Sequence, residues 1–491
     1  IAPRDRARDL VDAICAADSQ ALRPRDYPIE GLSAALQRAY HSDSVTAGDL
    51  AETDLRLTQL FLQYGGDLLA GRVDPSVVDG SWYIRTRRAT IDSTLIAALA
   101  RSSFDQMTKM LAPSQPDYET LAAALLRYRA IADSGGWPTI PRGPVLAKGS
   151  RGKRVTALRL RLAASGDLED ADTAGHHGYD EDVQAAVASF QERHGLEVDS
   201  AVGPATLAAL NVPLAQRIRQ IEINLERLRW LPNQFGDHYI LVNIPAYQLT
   251  AYDHGKAALA MKVIVGDEYK ATPVFADSMS YLVFRPRWNV PASITYHEII
   301  PGMEHDKQYL ARHRMEVVDA RTDSVVDPGD IDWGDIDTTD FKYQIRQKPG
   351  PDNSLGLVKF MFPNQFNIYL HDTPAGYLFG RRARAYSHGC IRLEHPVALA
   401  QWVLAGQDGW DEQQIRHEME TDSAGVPSVV QLDRKVPVYL VYLTAYADHG
   451  KVQFRDDVYG LDQRAMTRMK PAQADSTTRR RCERLKELIR V

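Results

Sequence analysis

The chain has 491 residues, of which 44% are apolar and 25% are charged, and its formal net charge is −6 at pH 7. This composition is ordinary for a soluble globular protein and excludes a disordered chain, a collagen-like chain and a disulfide scaffold. The charge balance also gives no reason to expect a nucleic-acid partner. At roughly 150 residues per domain, the length predicts about three domains.

The apolar stretches of the sequence are too short for a membrane span. The longest ones, at residues 94–100 and 438–447, have about half the length that a bilayer requires. The first residues also lack a positively charged start followed by a long apolar run. We therefore expect any export leader or membrane anchor to lie outside this sequence.

The first 140 residues have the pattern of helices. Apolar residues recur every three or four positions between Leu57 and Leu69, which is typical of a helix with one buried face. Asp92 or Ser93 is placed to cap a second helix, and a third is expected over residues 118–131. No cluster of catalytic side chains occurs in this region, so we predict a helical scaffold.

A proline- and glycine-rich linker at 138–144 precedes a segment with the pattern of three short helices. This segment resembles the three-helix peptidoglycan-binding domain, which has paired glycines before its first helix, Phe-Gln ending its second and Val-Gly-x-x-Thr starting its third. The matching residues are Gly149, Gly152, Phe190, Gln191, Gly195, Leu196, Asp199, Val202, Gly203 and Thr206.

Residues 214–230 return to a strong helical period. We expect this helix to pack against the N-terminal helices, so that the peptidoglycan-binding segment is an insertion in the scaffold. Its arginines and glutamates predict a solvated face.

From Tyr239 onward the sequence becomes rich in short β-branched and aromatic runs, which predicts a β-rich α+β domain. A buried strand is expected at 436–442, with residues 451–455 as its hairpin partner after a turn at Gly450. The pattern gives way to polar, proline-flanked sequence between Ala292 and Gly356, which predicts an insertion. A basic helix is expected near the C-terminus, from Arg479.

The three cysteines are Cys15, Cys390 and Cys482. This count leaves one disulfide open, and we expect replacement of Cys15 or Cys482 to have little effect. The cysteines form no C-x-x-C pair, and His417-Glu418 lacks a second histidine four residues on, so we predict no metal site and no cofactor.

One cluster carries the chemistry: Tyr369-Leu-His371-Asp-Thr-Pro, followed by Tyr386-Ser-His388-Gly-Cys390-Ile-Arg392-Leu. A thiol attacks a carbonyl group as the thiolate, so it needs a nearby base or positive charge. His371 and His388 are both candidate bases. Gly389 lets the backbone turn so that consecutive N–H groups can face an oxyanion.

The spacing from His371 to Ser387-His388-Gly389-Cys390 resembles the signature of the L,D-transpeptidase catalytic domain. The large periplasmic Gram-negative branch of that family is similar over nearly the whole chain. The shared segments are Trp230-Leu-Pro, Val242-Asn-Ile-Pro245, Thr272-Pro273, Trp288-Asn-Val-Pro291, Gly356-Leu-Val-Lys359-Phe360 and His371-Asp-Thr-Pro374.

The resemblance implies a multidomain fold: an α-helical scaffold, a three-helix peptidoglycan-binding domain and a β-rich α+β catalytic domain. We expect the scaffold at 1–140 and 213–236, the peptidoglycan-binding domain at 141–212, the catalytic domain at 237–460 with a capping insertion at about 292–356, and a basic C-terminal helix at 461–491.

The resemblance also implies roles for the residues of the cluster. Cys390 is expected to be the nucleophile and His371 the general base, oriented by a backbone carbonyl near Asp372. The amides of His388, Gly389 and Cys390 are expected to bind the oxyanion, and His388 could also tune the thiolate or replace His371 as the base.

Three further residues are assigned to substrate binding. Arg392 shares a strand face with Cys390 and is expected to bind a substrate carboxylate. Tyr369 shares a face with His371 and is expected to position the substrate, although core packing is an equally open interpretation. Ser387 belongs to the same group, with a backbone-bonding turn residue as the preferred interpretation.

The capping insertion is expected to be a lid over a bound peptide, with a surface decoration on the sheet edge as the alternative. The residues expected to contact the peptide are Trp333, Phe341, Tyr343, Arg346 and Lys348.

The function implied is transpeptidation of peptidoglycan. Cys390 attacks a tetrapeptide stem at diaminopimelate, releases D-alanine and passes the acyl group to a second diaminopimelate, which gives a 3-3 cross-link. An L,D-carboxypeptidase, or attachment of a lipoprotein to peptidoglycan with the same Cys/His pair, stays open. The expected partners are stem peptides, glycan, carbapenem-type inhibitors and cell-wall synthesis proteins, and the expected location is the periplasm.

Overall fold

The computed structural model describes residues 4–78, 80–87, 91–101, 103–170, 178–336, 341–421, 426–472 and 476–489. Two compact units form: Ile1–Gln234 with Tyr442–Val491, and Phe235–Val441. The first is mainly helical and the second is β-rich, which confirms the predicted fold class. Within the described ranges, no helix has the length and apolar character needed to cross a membrane.

The helices are α1 Arg4–Cys15, α2 Glu30–His41, α3 Ala47–Ala70, α4 Pro75–Val78, α5 Ile91–Leu99, α6 Phe104–Leu111, α7 Pro116–Asp133, α8 Lys153–Ser165, α9 Glu181–Arg193, α10 Pro204–Leu210, α11 Leu214–Trp230, α12 Ala292–Ile294, α13 Ile300–His305, α14 Tyr309–Arg312, α15 Pro396–Val403, α16 Glu412–Glu420, α17 Leu461–Arg468 and α18 Ser476–Ile489.

The strands are β1 His238–Asn243, β2 Gln248–Asp253, β3 Lys256–Gly266, β4 Phe275–Phe284, β5 Trp288–Asn289, β6 Met315–Asp319, β7 Val325–Val326, β8 Tyr343–Gln347, β9 Val358–Met361, β10 Leu370–His371, β11 Ala385–Ser387, β12 Ile391–Leu393, β13 Ser428–Val441, β14 Ala445–Asp448 and β15 Lys451–Phe454.

The long helix α3 begins and ends at sequence signals that fix its limits. The Thr46 hydroxyl accepts a hydrogen bond from the Asp49 amide and the Asp49 carboxylate accepts one from the Thr46 amide, which satisfies two amides of the first turn. Gly71, with φ of +80°, ends the helix in a conformation that favours glycine. The apolar face of α3 packs with α1, α2, α5, α6 and α18 in one core.

A disulfide joins Cys15 of α1 to Cys482 of α18, with 5.6 Å between the Cα atoms and 467 positions between the residues in sequence. The basic C-terminal helix is therefore covalently tied to the first helix of the chain. The expectation that replacement of Cys15 or Cys482 has little effect on cross-linking stays a prediction, but the bridge itself should stabilise the fold, because its removal frees a very long loop in the unfolded chain.

Helices α8, α9 and α10 enclose a separate small core. Gln191 is buried at its centre, where its side-chain amide donates to the Asp199 carboxylate at 2.7 Å, the Ala201 carbonyl at 2.9 Å and the Thr206 hydroxyl at 3.1 Å. A buried amide needs partners for its donors, and here they hold the loop between α9 and α10. This explains why Phe-Gln and Val-Gly-x-x-Thr occur together in the sequence pattern.

Helix α11 packs on α7 and α3, and its charged residues are buried rather than solvated. Glu222 forms an ion pair with Arg129 at 2.7 Å, and Arg227 forms one with Asp462 of α17 at 2.5 Å. Helical periodicity could not show this, since arginine and glutamate are normally found on a solvated face. Paired in this way, the charges bind α11 to its neighbours.

The predicted hairpin between residues 436–442 and 451–455 is wrong. Strand β13 pairs in parallel with β1 and antiparallel with β4, whereas β15 pairs with β14. The β14–β15 hairpin contacts α7, and it belongs to the helical unit with all residues from Tyr442 onward. The second compact unit ends at Val441.

The second unit is built on a nine-stranded sheet in the order β11-β3-β12-β10-β9-β4-β13-β1-β2. A further pairing between β3 and β2 closes eight of these strands into a ring, and β11 extends from β3. The two-residue strand β10 lies between β12, to which it is parallel, and β9, to which it is antiparallel. This placement sets the position of His371.

The insertion after β4 is a small folded layer rather than a polar loop. It contains a four-stranded sheet in the order β5-β8-β6-β7 with its own apolar core. Trp333 is 8% exposed and belongs to that core, against which Phe341 and Tyr343 pack. Arg346 pairs with Glu316 at 2.6 Å, so these side chains help to hold the insertion together. The role of the insertion as a lid over a peptide stays a prediction.

Replacing both Cys15 and Cys482 by Ser should lower the free energy of unfolding by about 2–4 kcal/mol, because the bridge restricts the unfolded chain. Guanidinium unfolding followed by circular dichroism measures the change. The matched control is Cys390→Ser, which removes a thiol outside the bridge and should leave the midpoint in place. An unchanged midpoint in the double variant would contradict the role given to the bridge.

Candidate active site

The sequence-predicted residues come together on one face of three adjacent strands. His371 in β10 lies opposite Arg392 in β12 and opposite Lys359 in β9. Side chains directly opposite one another in a sheet project to the same side, and residues two apart in a strand do so as well. Tyr369 and Cys390 therefore occupy the next row of that face.

Cys390 is the free thiol among the three cysteines of the chain. Its Sγ lies 3.7 Å from the carbonyl oxygen of Asn367. Burial raises the pKa of the Cys390 thiol, while hydrogen bonds from the Tyr369 amide and hydroxyl and the charges of Lys359 and Arg392 act in the opposite direction. The thiol is thus protonated at rest, in surroundings that stabilise its anion once it forms.

His371 is 4% exposed, and its Nδ1 lies 2.6 Å from the carbonyl oxygen of Asp372. A carbonyl oxygen only accepts, so Nδ1 carries the proton and Nε2 the lone pair. Burial lowers the pKa of His371 to about 3, with Arg392 and Lys359 acting in the same direction and the carbonyls of Asp372 and Leu355 against it. The imidazole is therefore neutral at neutral pH and can accept a proton.

Hydrogen bonds within the turn shape the segment before Cys390. The Ser387 hydroxyl donates to the carbonyl of Cys390 at 2.5 Å and accepts from the amide of Gly389 at 3.1 Å. Gly389 has φ of +114°, and a Cβ at that position would lie 3.1 Å from the Ile368 side chain. Glycine is required here both for the backbone angle and for the close approach.

These contacts bear on two sequence-based assignments, and for Ser387 they agree with the preferred interpretation of a turn residue. Ser387 is 2% exposed and its hydroxyl is used inside the turn, so it holds the backbone rather than a substrate. The Gly389 amide already donates to Ser387, and it is therefore not free for the oxyanion. Among the described residues, the amides of His388 and Cys390 donate to no recorded acceptor. They are the remaining candidates for an oxyanion hole.

Thr272 was not assigned a role from the sequence, but it fastens the turn to the sheet. Its hydroxyl donates to the carbonyl of Gly389 at 2.7 Å and accepts from the amide of Gly266 at 2.9 Å. Both bonds are buried, so both backbone groups would be left unsatisfied without it. The Thr272-Pro273 pair that contributed to the family resemblance thus has a physical function in positioning the turn.

His388 points to the insertion. Its Nε2 lies 2.8 Å from the Glu298 carboxylate, and the same carboxylate lies 3.9 Å from Lys270. Glu298 belongs to the helical turn Thr295–Ile299 within the insertion. His388 therefore links the turn before Cys390 to the insertion, while the buried His371 shares the strand face of the thiol.

Lys359 is the residue that the sequence reasoning missed at the centre of the site. Its Nζ lies 4.9 Å from the centroid of the Tyr369 ring, within range of a cation–π contact. The Tyr369 ring in turn packs edge-on to His371, with 5.7 Å between the ring centroids. The one available signal was a lysine within the otherwise apolar run of β9, quoted above as part of a resemblance but given no role.

Alkylation of Cys390 by iodoacetamide should show the raised pKa of its thiol. The rate should increase with pH through and beyond the range of a free cysteine, with no plateau over roughly pH 5–8, because a His371 of low pKa holds no proton there to form an ion pair with the thiolate. Mass spectrometry over a pH series measures the rate, with glutathione as the reference thiol. A plateau in that range would show a resting thiolate–imidazolium pair.

Comparisons with known proteins give the families that parts of this chain resemble. The L,D-transpeptidase catalytic domain family, YkuD, matches residues 237–418. A scaffold domain family matches 2–125, and a family described as "Putative peptidoglycan binding domain" matches 151–210. A Haemophilus influenzae protein named "Putative L,D-transpeptidase" is 37% identical over 248 residues, which are 50% of this chain and 48% of that protein. The chain spans about half the length of this curated relative.

Solved structures of L,D-transpeptidases are also similar. One from Xylanimonas cellulosilytica is 16% identical, covers 61% of this chain and 99% of its own, and has a TM-score of 0.19. One from Stackebrandtia nassauensis is 15% identical, covers 62% of this chain and 96% of its own, and has a TM-score of 0.25. The family matches thus cover three parts of the chain: residues 2–125 are similar to a scaffold domain, residues 151–210 to a peptidoglycan-binding domain, and residues 237–418 to the L,D-transpeptidase catalytic domain of the YkuD family.

Proposed function

We propose that the protein is a cysteine acyltransferase that forms 3-3 cross-links in peptidoglycan. The observation that carries the proposal is the strand register, in which Tyr369 and His371 share one face with Cys390 and Arg392. A thiol, a neutral imidazole and a guanidinium with no carboxylate partner in the described ranges lie on one face, and these are the groups that acyl transfer from an anionic peptide requires.

In the proposed mechanism, His371 takes the proton of Cys390 as Sγ attacks the carbonyl of diaminopimelate in a tetrapeptide stem. The amides of His388 and Cys390 bind the oxyanion. His371 then gives the proton to the departing amine of D-alanine, which leaves a thioester on Cys390. The amine of a second diaminopimelate attacks this thioester and loses its proton to His371. The C–S bond then breaks, which forms the cross-link, and Cys390 leaves as a thiolate that takes the proton back from His371.

We place this activity in the periplasm. The Cys15–Cys482 disulfide supports the assignment, because such bridges persist in oxidising compartments outside the cytosol. The peptidoglycan-binding domain would hold the enzyme at its polymeric substrate. A carbapenem, which carries a reactive acyl group and a carboxylate, is expected to acylate Cys390.

Incubation of the purified protein with tetrapeptide muropeptides tests the function. Mass spectrometry should reveal dimers joined between two diaminopimelates, with release of D-alanine. Tripeptides as the sole product would show a carboxypeptidase, in which water replaces the acceptor amine. Unchanged tetrapeptides would contradict the proposal.

Two substitutions test the roles of the catalytic pair. Cys390→Ala should abolish dimer formation, and His371→Ala should reduce the rate of Cys390 acylation by roughly 10²–10⁴-fold, the usual range for loss of a general base. His449→Ala is a matched control, since this side chain is 95% exposed on the β14–β15 hairpin. A correctly folded His388→Ala variant with a much larger defect than His371→Ala would show that the base is assigned to the wrong histidine.

A further inference from the structure

Two cations flank His371 in a single row across the sheet. Lys359 lies opposite it in β9 and Arg392 lies opposite it in β12. Neighbouring strands are about 4.8 Å apart, so both charges stand beside the imidazole and close to the thiol of Cys390 in the next row. The electrostatic influence of both side chains on Cys390 and His371 reflects this proximity.

Among the residues that the structure describes, neither cation has an acidic partner. Within the described ranges, no carboxylate lies within 4.0 Å of Lys359 or Arg392, and the buried Nε of Arg392 has no hydrogen-bond partner. Asp372, which follows His371, is occupied: its carboxylate accepts from the amides of Leu357 at 2.8 Å and Thr373 at 2.7 Å. The charge of this face is therefore uncompensated in the free protein.

An unpaired cation away from solvent has a free-energy cost, which an incoming anion can offset. The lowered pKa of Lys359, caused by burial, reflects that cost. The Tyr369 ring holds the lysine in place but supplies no full negative charge. In contrast, the buried Arg129 and Arg227 of the helical unit are each paired with a carboxylate.

We propose that Lys359 is a second carboxylate-binding residue of the donor site, on the side of His371 opposite Arg392. The ligand is a carboxylate of the peptide whose carbonyl is attacked by Cys390. A tetrapeptide stem offers two sources, the C-terminal D-alanine and the side chain of diaminopimelate. The choice between them rests on the proposed function, whereas the anion site itself does not.

The anion site can be tested without any peptidoglycan substrate. Cys390 is the chain's free thiol, so its alkylation by anionic iodoacetate can be compared with that by neutral iodoacetamide. The ratio of the two rates should exceed the ratio for glutathione, and Lys359→Met should lower it by about tenfold, the effect of one charged hydrogen bond. Lys359→Arg should retain the preference, and Lys256→Met, which removes an exposed lysine of β3, should not change it.

If Lys359→Met lowers the alkylation rate equally for iodoacetate and iodoacetamide, the proposal is overturned, because the lysine then acts on the thiol alone. Circular dichroism of the variant, together with the behaviour of Lys359→Arg, separates this outcome from misfolding. A wild-type ratio equal to that of glutathione would also overturn it.

Donor peptides then identify the carboxylate. Acylation of Cys390 is measured with the free tetrapeptide, with its C-terminal carboxamide and with a peptide amidated on diaminopimelate. In the wild-type protein, one of the two amidated peptides should acylate Cys390 more slowly than the free tetrapeptide does. This difference in rate should be absent in Lys359→Met. Equal discrimination in both proteins would overturn the assignment of Lys359. If wild type is acylated by none of the three peptides, the proposed function fails, while the alkylation ratio still decides whether the anion site exists.

Discussion

The parallel pairing of β10 with β12 is the constraint on which the site depends. Strand β10 has two residues, and its register sets His371 against Arg392. A slip by one residue would turn Cys390 and Arg392 to the other face of the sheet, away from the histidine. The register is reinforced by the hydrogen bond from the Ile391 amide to the Tyr369 carbonyl at 3.1 Å. Thr272 fixes the turn before β12 from the opposite side.

The two units treat buried charge differently. The helical unit uses it for cohesion, because each glutamate of α11 meets an arginine at short range and little of either is exposed. On the strand face of Cys390, in contrast, Lys359 and Arg392 have no carboxylate partner among the described residues, and a neutral histidine lies between them. Such an arrangement lowers the stability of the folded protein, and it is typical of a site that binds an anion.

Local sequence patterns were sufficient to place the proposed catalytic pair on one strand face, because His371 and Cys390 belong to a dense motif and strand alternation gives each its neighbour, Tyr369 and Arg392. They were insufficient where strands far apart in sequence meet. Lys359 joins the site through the register of β9, which no local pattern encodes. For the same reason the hairpin assigned to β13 was wrong, since a buried strand can pair with several partners.

Side-chain chemistry also limited what could be predicted. The polar residues of α11 predicted a solvent-exposed face. In the structure, Glu222 and Glu226 are buried, because arginines pair with them. The sequence of the insertion showed no strand pattern, because its strands have only two to five residues. Such strands are too short for a visible alternation of apolar and polar residues. The occupied amide of Gly389 depends on one hydroxyl orientation in Ser387, which only a folded turn defines.

The order of the cysteines along the chain makes Cys390 a competitor for the disulfide partner Cys15 during synthesis. Cys15 is made first, Cys390 next and Cys482 last, while the native bridge joins the first to the last. In an oxidising compartment, the first thiol that a nascent Cys15 encounters is therefore that of Cys390. Formation of the helical unit around α1 and α18 removes this competitor, so that correct pairing at the far end of the chain is also what leaves the catalytic thiol free.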